Sequence, residues 1–308
     1  MFYIEKSKKG GTIMKRELLK RMVALGMTVA MTGALVGCGS SKDAAEEPAP
    51  VAEDLVEESV DSASDGSVEG ALEGVTLSFG TSGLFAPFSY YDEDGELIGF
   101  DVDFCNALKD YLGFEIDGDM QAMDYSALTT SLAEGKLDFG MAALCATDER
   151  KQVMNFSETY CDSGQSIAVN KETSPAELTS VDMLTSGDYK VAVEKGTASH
   201  MYALNIGIPE SALEIHDEIT TAYESLEQGK VDALIQDTPG LAYYIKTAED
   251  SKIEIKGEPF NQGQSPYAIA ISFDCADANP GIVEIFNQAI ADLIADGTFA
   301  ELSAKWLE

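Results

Sequence analysis

Two charged side chains of this chain each follow an apolar run, where a side chain can project from the end of a strand. Arg150 follows residues 144–149 (Leu-Cys-Ala-Thr-Asp-Glu), and Asp237 follows a strand-like run that ends at Gln236. A guanidinium can hold a carboxylate through two parallel hydrogen bonds, and a carboxylate can accept hydrogen bonds from an ammonium group. Together the two side chains suit a small zwitterion.

Both residues also have a structural interpretation. Arg150 can belong to a surface salt bridge, and Asp237, which precedes Thr238 and Pro239, can cap a helix. Glu194 is the one obvious candidate for proton transfer, and a chain with only His200 and His216 offers little material for a histidine-based catalytic site.

The elements that must position these side chains alternate between strand and helix. Residues 75–80 alternate apolar and small polar side chains, which predicts a half-buried strand. Residues 100–112 have apolar side chains at helical spacing, residues 128–132 continue a second helix, and residues 137–142 predict the next strand. This order is typical of βαβ units.

A second set of elements repeats this order. Residues 189–193 predict a strand, residues 198–204 a helix and residues 231–236 another strand. The phrase Ser-Leu-Ala-Glu-Gly-Lys-Leu-Asp at 131–138 recurs as Ser-Leu-Glu-Gln-Gly-Lys-Val-Asp at 225–232, which indicates a helix end, a capping glycine and a strand in both places. Because open α/β sheets bind ligands at the carboxyl ends of their strands, two such lobes predict a cleft between them.

The net charge excludes several partners. The 308 residues include 54 acidic and 20 basic side chains, for a formal charge of -34, so nucleic acid and anionic lipid would be repelled.

The cysteine spacing predicts no metal site. Neither a metal nor a cofactor is expected, since no CxxC or Cys/His spacing is present. Four cysteines besides Cys38 could form two disulfides in an exported protein, and the sequence leaves their pairing open: Cys105, Cys145, Cys161 and Cys275.

The amino-terminal segment predicts export. Basic residues at 15, 16, 20 and 21 precede an apolar run at 22–36 that is short for a membrane-spanning helix. Residues 35–38 (Leu-Val-Gly-Cys) resemble the lipobox of bacterial lipoproteins, which implies a signal peptide over residues 1–37 and a lipid on Cys38. The alternative is a retained signal-anchor helix. Met14 is a possible true start, and residues 38–74 predict the lipidated cysteine and an acidic, flexible tether.

Several phrases occur in the order found in a known family, at residues 85–88, 95–103, 147–151, 195–197, 235–237 and 295–299. From residue 75 to its end, the chain resembles bacterial extracellular solute-binding proteins of family 3, the polar amino acid receptors of ABC importers. The resemblance implies the α/β, two-lobed periplasmic-binding-protein fold of type II, with a two-strand hinge and the ligand in the cleft. Lobe 1 would comprise residues 75–164 and 267–308, and lobe 2 residues 165–266, with connecting strands near 163–168 and 265–270.

The resemblance also implies roles for single residues. Arg150 would bind the ligand α-carboxylate, Asp237 the α-ammonium, and Phe85 and Tyr125 would enclose the ligand side chain. The carbonyl of Ala142 would accept from the ammonium. The carboxylate would also be held at the matching positions Ala143, Cys145 and Ala198, and Thr197 would be a further ligand-binding residue.

Three residues depart from the family pattern. Ser82 stands where an acidic residue commonly contacts a basic or amide side chain, which weakens the case for a histidine or lysine ligand. Cys145 replaces a hydroxyl donor with a thiol, a poorer donor. Glu194 stands where relatives have neutral or basic residues, so it either selects a cationic side chain from the other lobe or is a solvated charge.

The resulting expectation is a binding protein and not an enzyme. It would capture a small polar amino acid, present it to an ABC permease with its ATPase, and act as a monomer held by lipid on the outer face of the cytoplasmic membrane. The alternatives are a cyclohexadienyl-dehydratase-like or other enzyme on the same fold, and a ligand sensor module.

Overall fold

The structure is a computed structural model, which describes residues 66–307. The chain separates into two units, Met1–Asp61 and Ser62–Glu308. The first unit lies wholly outside the described residues, as do the predicted signal peptide, Cys38 and most of the predicted tether.

Strands and helices alternate through the described part of the chain. The strands are β1 (Thr76–Leu77), β2 (Phe79–Thr81), β3 (Leu84–Phe85), β4 (Ser89–Tyr91), β5 (Leu97–Ile98), β6 (Glu115–Ile116), β7 (Gln121–Ala122), β8 (Phe139–Gly140), β9 (Asn155–Cys161), β10 (Gln165–Asn170), β11 (Val191–Glu194), β12 (Leu213–His216), β13 (Ala233–Asp237), β14 (Ile253–Phe260) and β15 (Tyr267–Ile271). The helices are α1 (Phe100–Leu112), α2 (Tyr125–Ala133), α3 (Ala198–Asn205), α4 (Ile219–Glu227), α5 (Thr238–Thr247), α6 (Phe273–Ala278), α7 (Ile282–Ala295) and α8 (Thr298–Trp306).

Two five-stranded sheets form the centres of two lobes. The lobe 1 sheet has the strand order β7-β2-β8-β15-β9, and the lobe 2 sheet has the order β12-β11-β13-β10-β14. In the lobe 1 sheet, β2 pairs with β8 in parallel and β9 pairs with β15 antiparallel. In the lobe 2 sheet, β11 pairs with β12 in parallel and β10 pairs with β13 antiparallel. Short sheets β1-β6 and β3-β4-β5 complete lobe 1.

The chain crosses between the sheets twice. Residues 162–164 join β9 of lobe 1 to β10 of lobe 2, and residues 261–266 join β14 of lobe 2 to β15 of lobe 1. The crossings contact each other, since the backbone N–H of Gly263 donates to the carbonyl of Ser163 at 3.2 Å. The amide of Asn261 also donates to the Gln165 side chain at 3.0 Å. Two adjacent crossings are the arrangement that hinge closure requires.

The phrase repeated in the sequence forms the same joint in both lobes. After α2, Gly135 has a φ of 67°, and after α4, Gly229 has a φ of 65°, a conformation that favours glycine. In both places the glycine N–H bonds three residues back and the following lysine N–H five residues back, which is the Schellman pattern. Beyond each joint an aspartate carboxylate accepts a backbone N–H, Asp138 from Ser78 at 2.7 Å and Asp232 from Lys190 at 2.8 Å.

Two predicted strands differ from those observed. The strand predicted over residues 75–80 is divided at Ser78 into β1 and β2, because the hydroxyl and N–H of Ser78 both donate to Asp138. The strand predicted over 137–142 is reduced to β8, since the chain turns at Ala143, which has a φ of 49°. The helix predicted over 100–112 has the observed bounds of α1.

The segment before residue 75 departs from the predicted tether. Leu72 is buried, and its backbone N–H donates to the carbonyl of Leu112 at the end of α1. Val68 also packs against the lobe 1 core. The apolar pair at 68 and 72 therefore covers the end of α1, and packed structure begins earlier than predicted.

Apolar side chains fill both lobes. Phe100, Phe104 and Leu108 on α1 are fully buried in lobe 1, while Val191, Val193 and Ile235 fill lobe 2. None of the helices within residues 66–307 is both long and apolar enough to cross a membrane.

Candidate ligand-binding site

A cavity lies between the lobes at the carboxyl ends of their strands. Including its open mouth, the empty space measures about 250 Å³, but the enclosed part measures about 10 Å³, room for about one water molecule, so the lobes are nearly closed on each other. Both lobes contribute side chains to its lining: Phe85, Tyr125, Ala142 and Ala143 from lobe 1, and Glu194, Thr197, Gln236 and Asp237 from lobe 2.

Asp237 is held by donors from both lobes. It is the last residue of β13, and Oδ1 accepts from Gln165 at 3.0 Å and from Ser199 at 3.3 Å. Oδ2 accepts from the hydroxyl of Tyr267 at 3.0 Å and from the thiol of Cys145 at 3.8 Å. Burial raises the pKa of this carboxyl, although these hydrogen bonds oppose the rise. The carboxylate is fixed in place and faces the cavity.

Glu194 is a second acid in the cavity wall. It ends β11 and is 6% exposed, so it is not the solvated charge of the alternative interpretation. Burial, followed by the negative charge of Asp237, raises the pKa of Glu194 to about 8, while a hydrogen bond from the backbone of Ile219 lowers it. Two acidic side chains therefore share one small cavity.

Arg150 lies at the edge of this cavity and does not line it. It begins a 3₁₀ turn, Arg150–Gln152, so its predicted position at the end of a strand is wrong. Its guanidinium donates to the carbonyl of Cys145 at 2.8 Å and, across the cleft, to the carbonyl of Gly196 at 3.0 Å. It also stacks over the ring of Tyr125, 5.2 Å from the centroid. Arg150 thus already bridges the lobes.

The backbone conformation of Ala143 is held by Asp101, a residue that the sequence interpretation missed. The fully buried Asp101 accepts the backbone N–H of Ala143 at 2.7 Å and the hydroxyl of Tyr160 at 2.8 Å. These bonds hold the left-handed backbone of Ala143 at the cavity wall. Burial raises the pKa of Asp101 to about 7. The available signal was an acidic residue in the first turn of an otherwise apolar helix face.

The predicted aromatic pair lines the lobe 1 side. Phe85 stacks on Phe88 with 5.6 Å between ring centroids, and a side chain at Gly240 of lobe 2 would collide with its ring. Tyr125 is the first residue of α2 and is buried. Both rings are therefore placed against the facing lobe as well as against their own core.

Thr197 and Ala198 form the start of a helix at the cavity. The hydroxyl of Thr197 accepts the N–H of His200 at 3.2 Å, which caps α3, and donates to the carbonyl of Glu194 at 2.8 Å. Ala198 is the first residue of α3, so its backbone N–H has no partner within that helix. This helix end is a favourable place for a negative group.

The structure brings together most of the predicted site residues. Seven line the cavity, and four do not, namely Ser82, Cys145, Arg150 and Ala198. Ser82 is buried, and its hydroxyl accepts from the backbone of Leu84 at 3.3 Å. Sequence interpretation missed several polar residues around Asp237: Gln165, Ser199, Gln236 and Tyr267.

Between residues 66 and 307, no group of three or more His, Cys, Asp or Glu side chains is arranged to hold a metal ion. The structure shows no disulfide among the cysteines within this range, and all four are free thiols: Cys105, Cys145, Cys161 and Cys275.

Comparison with known proteins gives one consistent result. A family model described as bacterial extracellular solute-binding proteins, family 3, matches residues 77–308. The L-cystine-binding protein TcyJ of Escherichia coli K12 is 29% identical over 231 residues, which cover 75% of this chain and 82% of that relative.

Solved structures agree with this likeness. An ancestral arginine-binding protein bound to arginine is 30% identical with a TM-score of 0.67, and the match covers 76% of this chain and 98% of that one. The ancestral amino acid-binding protein AncCDT-1, a precursor of cyclohexadienyl dehydratase, is 29% identical with a TM-score of 0.66, covering 76% and 96%. These neighbours confirm the predicted two-lobed α/β fold.

Proposed function

Because this chain belongs to the bacterial extracellular solute-binding proteins of family 3, we propose that it captures a free polar amino acid between its lobes and delivers it to an ABC importer. The observation that carries the proposal is the placement of Asp237 of lobe 2 in the wall of one small cavity and of Arg150 of lobe 1 at its edge. A cation and an anion so placed match the two charges of a zwitterion.

The ligand carboxylate would bind where Arg150 meets the start of α3. Arg150 and Ala198 line a common groove beside the cavity, and the guanidinium already reaches the carbonyl of Gly196 next to this helix end. A carboxylate is a stronger acceptor for a guanidinium than a carbonyl oxygen. We infer that it would take over one of the guanidinium contacts and also accept the N–H of Ala198.

The ligand ammonium would bind Asp237. Four donors surround this carboxylate, and the Cys145 thiol is both the most distant, at 3.8 Å, and the weakest by type. An ammonium would replace it at little cost. The carbonyl of Ala142, in the cavity wall, would accept a second hydrogen bond, and the ligand side chain would lie between Phe85 and Tyr125.

Closure about the two crossings at 162–164 and 261–266 would bury the ligand and form the surface that an importer recognises. The family supports this place in transport, since its members are amino-acid-binding proteins of ABC transporters. We further propose that Cys38 carries the lipid that holds the protein on the outer face of the membrane, beside the permease and its ATPase.

Catalysis is the competing function on this fold. The cavity holds one carboxyl whose protonation near neutral pH would suit general acid chemistry, that of Glu194. AncCDT-1, a precursor of an enzyme, is itself described as an amino acid-binding protein, and the curated relatives are binding proteins, which favours capture. Incubation with each bound ligand and analysis by mass spectrometry should return the ligand unchanged.

The proposal is tested by calorimetry on residues 62–308 with the twenty common amino acids, ornithine, citrulline, norleucine and cystine. One chemically related group should bind with a Kd in the micromolar range or below. In the full-length chain expressed in a bacterium, labelled palmitate should be incorporated and should be lost in the Cys38→Ala variant. Absence of heat across the whole panel contradicts amino acid capture.

A further inference from the structure

Glu194 is the least satisfied charged group in the cavity wall. Its side chain lies at the carboxyl end of β11 and is 6% exposed. Within residues 66–307, no side chain donates a hydrogen bond to its carboxylate, and the backbone N–H of Ile219 at the start of α4 is the group that stabilises its charged form. Asp237, by contrast, accepts from four side chains. A buried carboxylate without side-chain donors retains free acceptor sites.

The charges that act most strongly on Glu194 in the described part of the chain are negative. They belong to Asp237 across the cavity, Asp124 before α2 and Glu218 before α4. The neighbouring Lys195 is exposed and directs its ammonium to Asp217, with 3.3 Å between Nζ and Oδ1.

Uncharged groups form the rest of the surroundings. The phenol groups of Tyr125 on α2 and Tyr223 on α4 both experience the charge of Glu194. Among residues 66–307, no lysine, arginine or histidine forms an ion pair with this carboxylate.

The balance of charge at the site points to the missing group. Two acids, Glu194 and Asp237, face one guanidinium, that of Arg150. A neutral amino acid brings one positive and one negative charge, so beside it Glu194 must either stay buried as an uncompensated charge or hold a proton. An amino acid with a cationic side chain compensates the ionised carboxylate of Glu194 completely. Burying an unpaired charge is costly, so the difference favours the cationic ligand.

We propose that the ligand is an amino acid with a positively charged side chain and that Glu194, from lobe 2, is the residue that selects it. This inference rests on the proposed capture function. The lobe 1 residues that line the cavity include no competing acid, since they are Phe85, Tyr125, Ala142 and Ala143. The ligand α-groups occupy Arg150 and Asp237, and its side-chain cation reaches Glu194 past Phe85 and Tyr125.

Arginine and citrulline are the decisive probes, because they have nearly the same shape and only arginine is charged. Wild type should bind arginine at least about 30-fold more tightly than citrulline, since an unpaired buried charge is worth at least about 2 kcal/mol. In Glu194→Gln that preference should fall to about threefold or less. Lysine with norleucine gives a second matched pair. Glu93→Gln removes one charge from an exposed residue that does not line the cavity, and it should leave the preference unchanged.

Proton exchange provides a readout that a merely structural role would not affect. Burial raises the pKa of Glu194 to about 8, so beside citrulline this carboxyl should hold close to one proton at pH 7. Beside the arginine cation it should hold none, so the arginine complex should form with close to one proton fewer than the citrulline complex. Calorimetry in phosphate and in Tris, which differ in ionisation enthalpy, measures this number, and thermal melts confirm that Glu194→Gln is folded.

The outcomes separate the two proposals. If citrulline or glutamine binds as tightly as arginine and Glu194→Gln changes nothing, the charge selection is overturned while capture stands. Cystine binding more tightly than arginine and unaffected by Glu194→Gln overturns it as well. If no amino acid binds, capture itself fails and the selection fails with it.

Discussion

The hydroxyl of Tyr267 in lobe 1 donates a hydrogen bond of 3.0 Å to the carboxylate of Asp237 in lobe 2. Tyr267 is the first residue after the second crossing, and Gln165, the first strand residue after the other crossing, is the register partner of Asp237. The carboxylate proposed to bind the ligand ammonium is therefore fixed beside the hinge, where closure displaces it least.

Replacing Asp237 with asparagine should weaken amino acid binding at least about 30-fold, because a buried charge pair with the ammonium is lost. The new amide group would also direct N–H toward donors that now bind one of the two carboxylate oxygens, either Gln165 and Ser199 or Tyr267. Calorimetry measures the loss, and Asp148→Asn, whose side chain is 97% exposed, is the matched control. Unchanged affinity in Asp237→Asn would show that the ammonium binds elsewhere.

Replacing Arg150 with alanine should reduce affinity at least about 100-fold, because the carboxylate partner and the contact with Gly196 across the cleft are both removed. Arg150→Lys should retain part of the affinity, since lysine keeps the charge without the forked geometry. Lys151→Ala, at the adjacent exposed residue, is the control for the loss of one positive charge. Equal affinities for the lysine and alanine variants would contradict a role for the charge.

A methyl group at Gly240 should hinder lobe closure, because it would occupy the position of the Phe85 ring. Gly240→Ala is expected to lower ligand affinity about tenfold or more, because the contact with Phe85 in the closed form would be overpacked. Small-angle scattering should show less compaction on ligand addition than in wild type. The double variant Gly240→Ala with Phe85→Leu should recover part of the closure, and a purely additive result would rule out this contact.

Asp101 should make stability depend on pH in a known direction. Burial raises its pKa in the folded state from an ordinary 3.8 to about 7, so the folded state holds the proton more strongly. Its contribution is complete below about pH 4 and is lost as the pH rises to about 7, for a total of about 4 kcal/mol.

Asp101→Asn should remove this dependence, because an amide does not titrate. Chemical unfolding at pH 4 to 8 should therefore show a shallower decline for the variant than for wild type. Asp110→Asn on the same helix, with a side chain 80% exposed, is the control and should follow wild type. Parallel curves for Asp101→Asn and wild type would contradict the assignment.

Local periodicity predicted the scaffold well and the site in part. The bounds of α1 follow from its helical spacing, and the two lobes follow from a repeated phrase and a family resemblance. The Asp101 contacts with Ala143 and Tyr160 span 42 and 59 residues, and no sequence pattern indicates such pairings. The local structure at Arg150 was missed for a related reason, since the turn at Ala143 ends the strand early.

The joint shared by the lobes has an evolutionary consequence. In each lobe, a glycine and a backbone-binding aspartate set the course of the chain from helix to strand, and neither residue lines the cavity. Four of the residues that line the cavity follow these joints, at the far ends of the same strands or just beyond them: Ala142, Ala143, Gln236 and Asp237. Mutation can therefore change what the cleft accepts without disturbing how either half is assembled, so ligand preference can diverge among descendants that keep the same architecture.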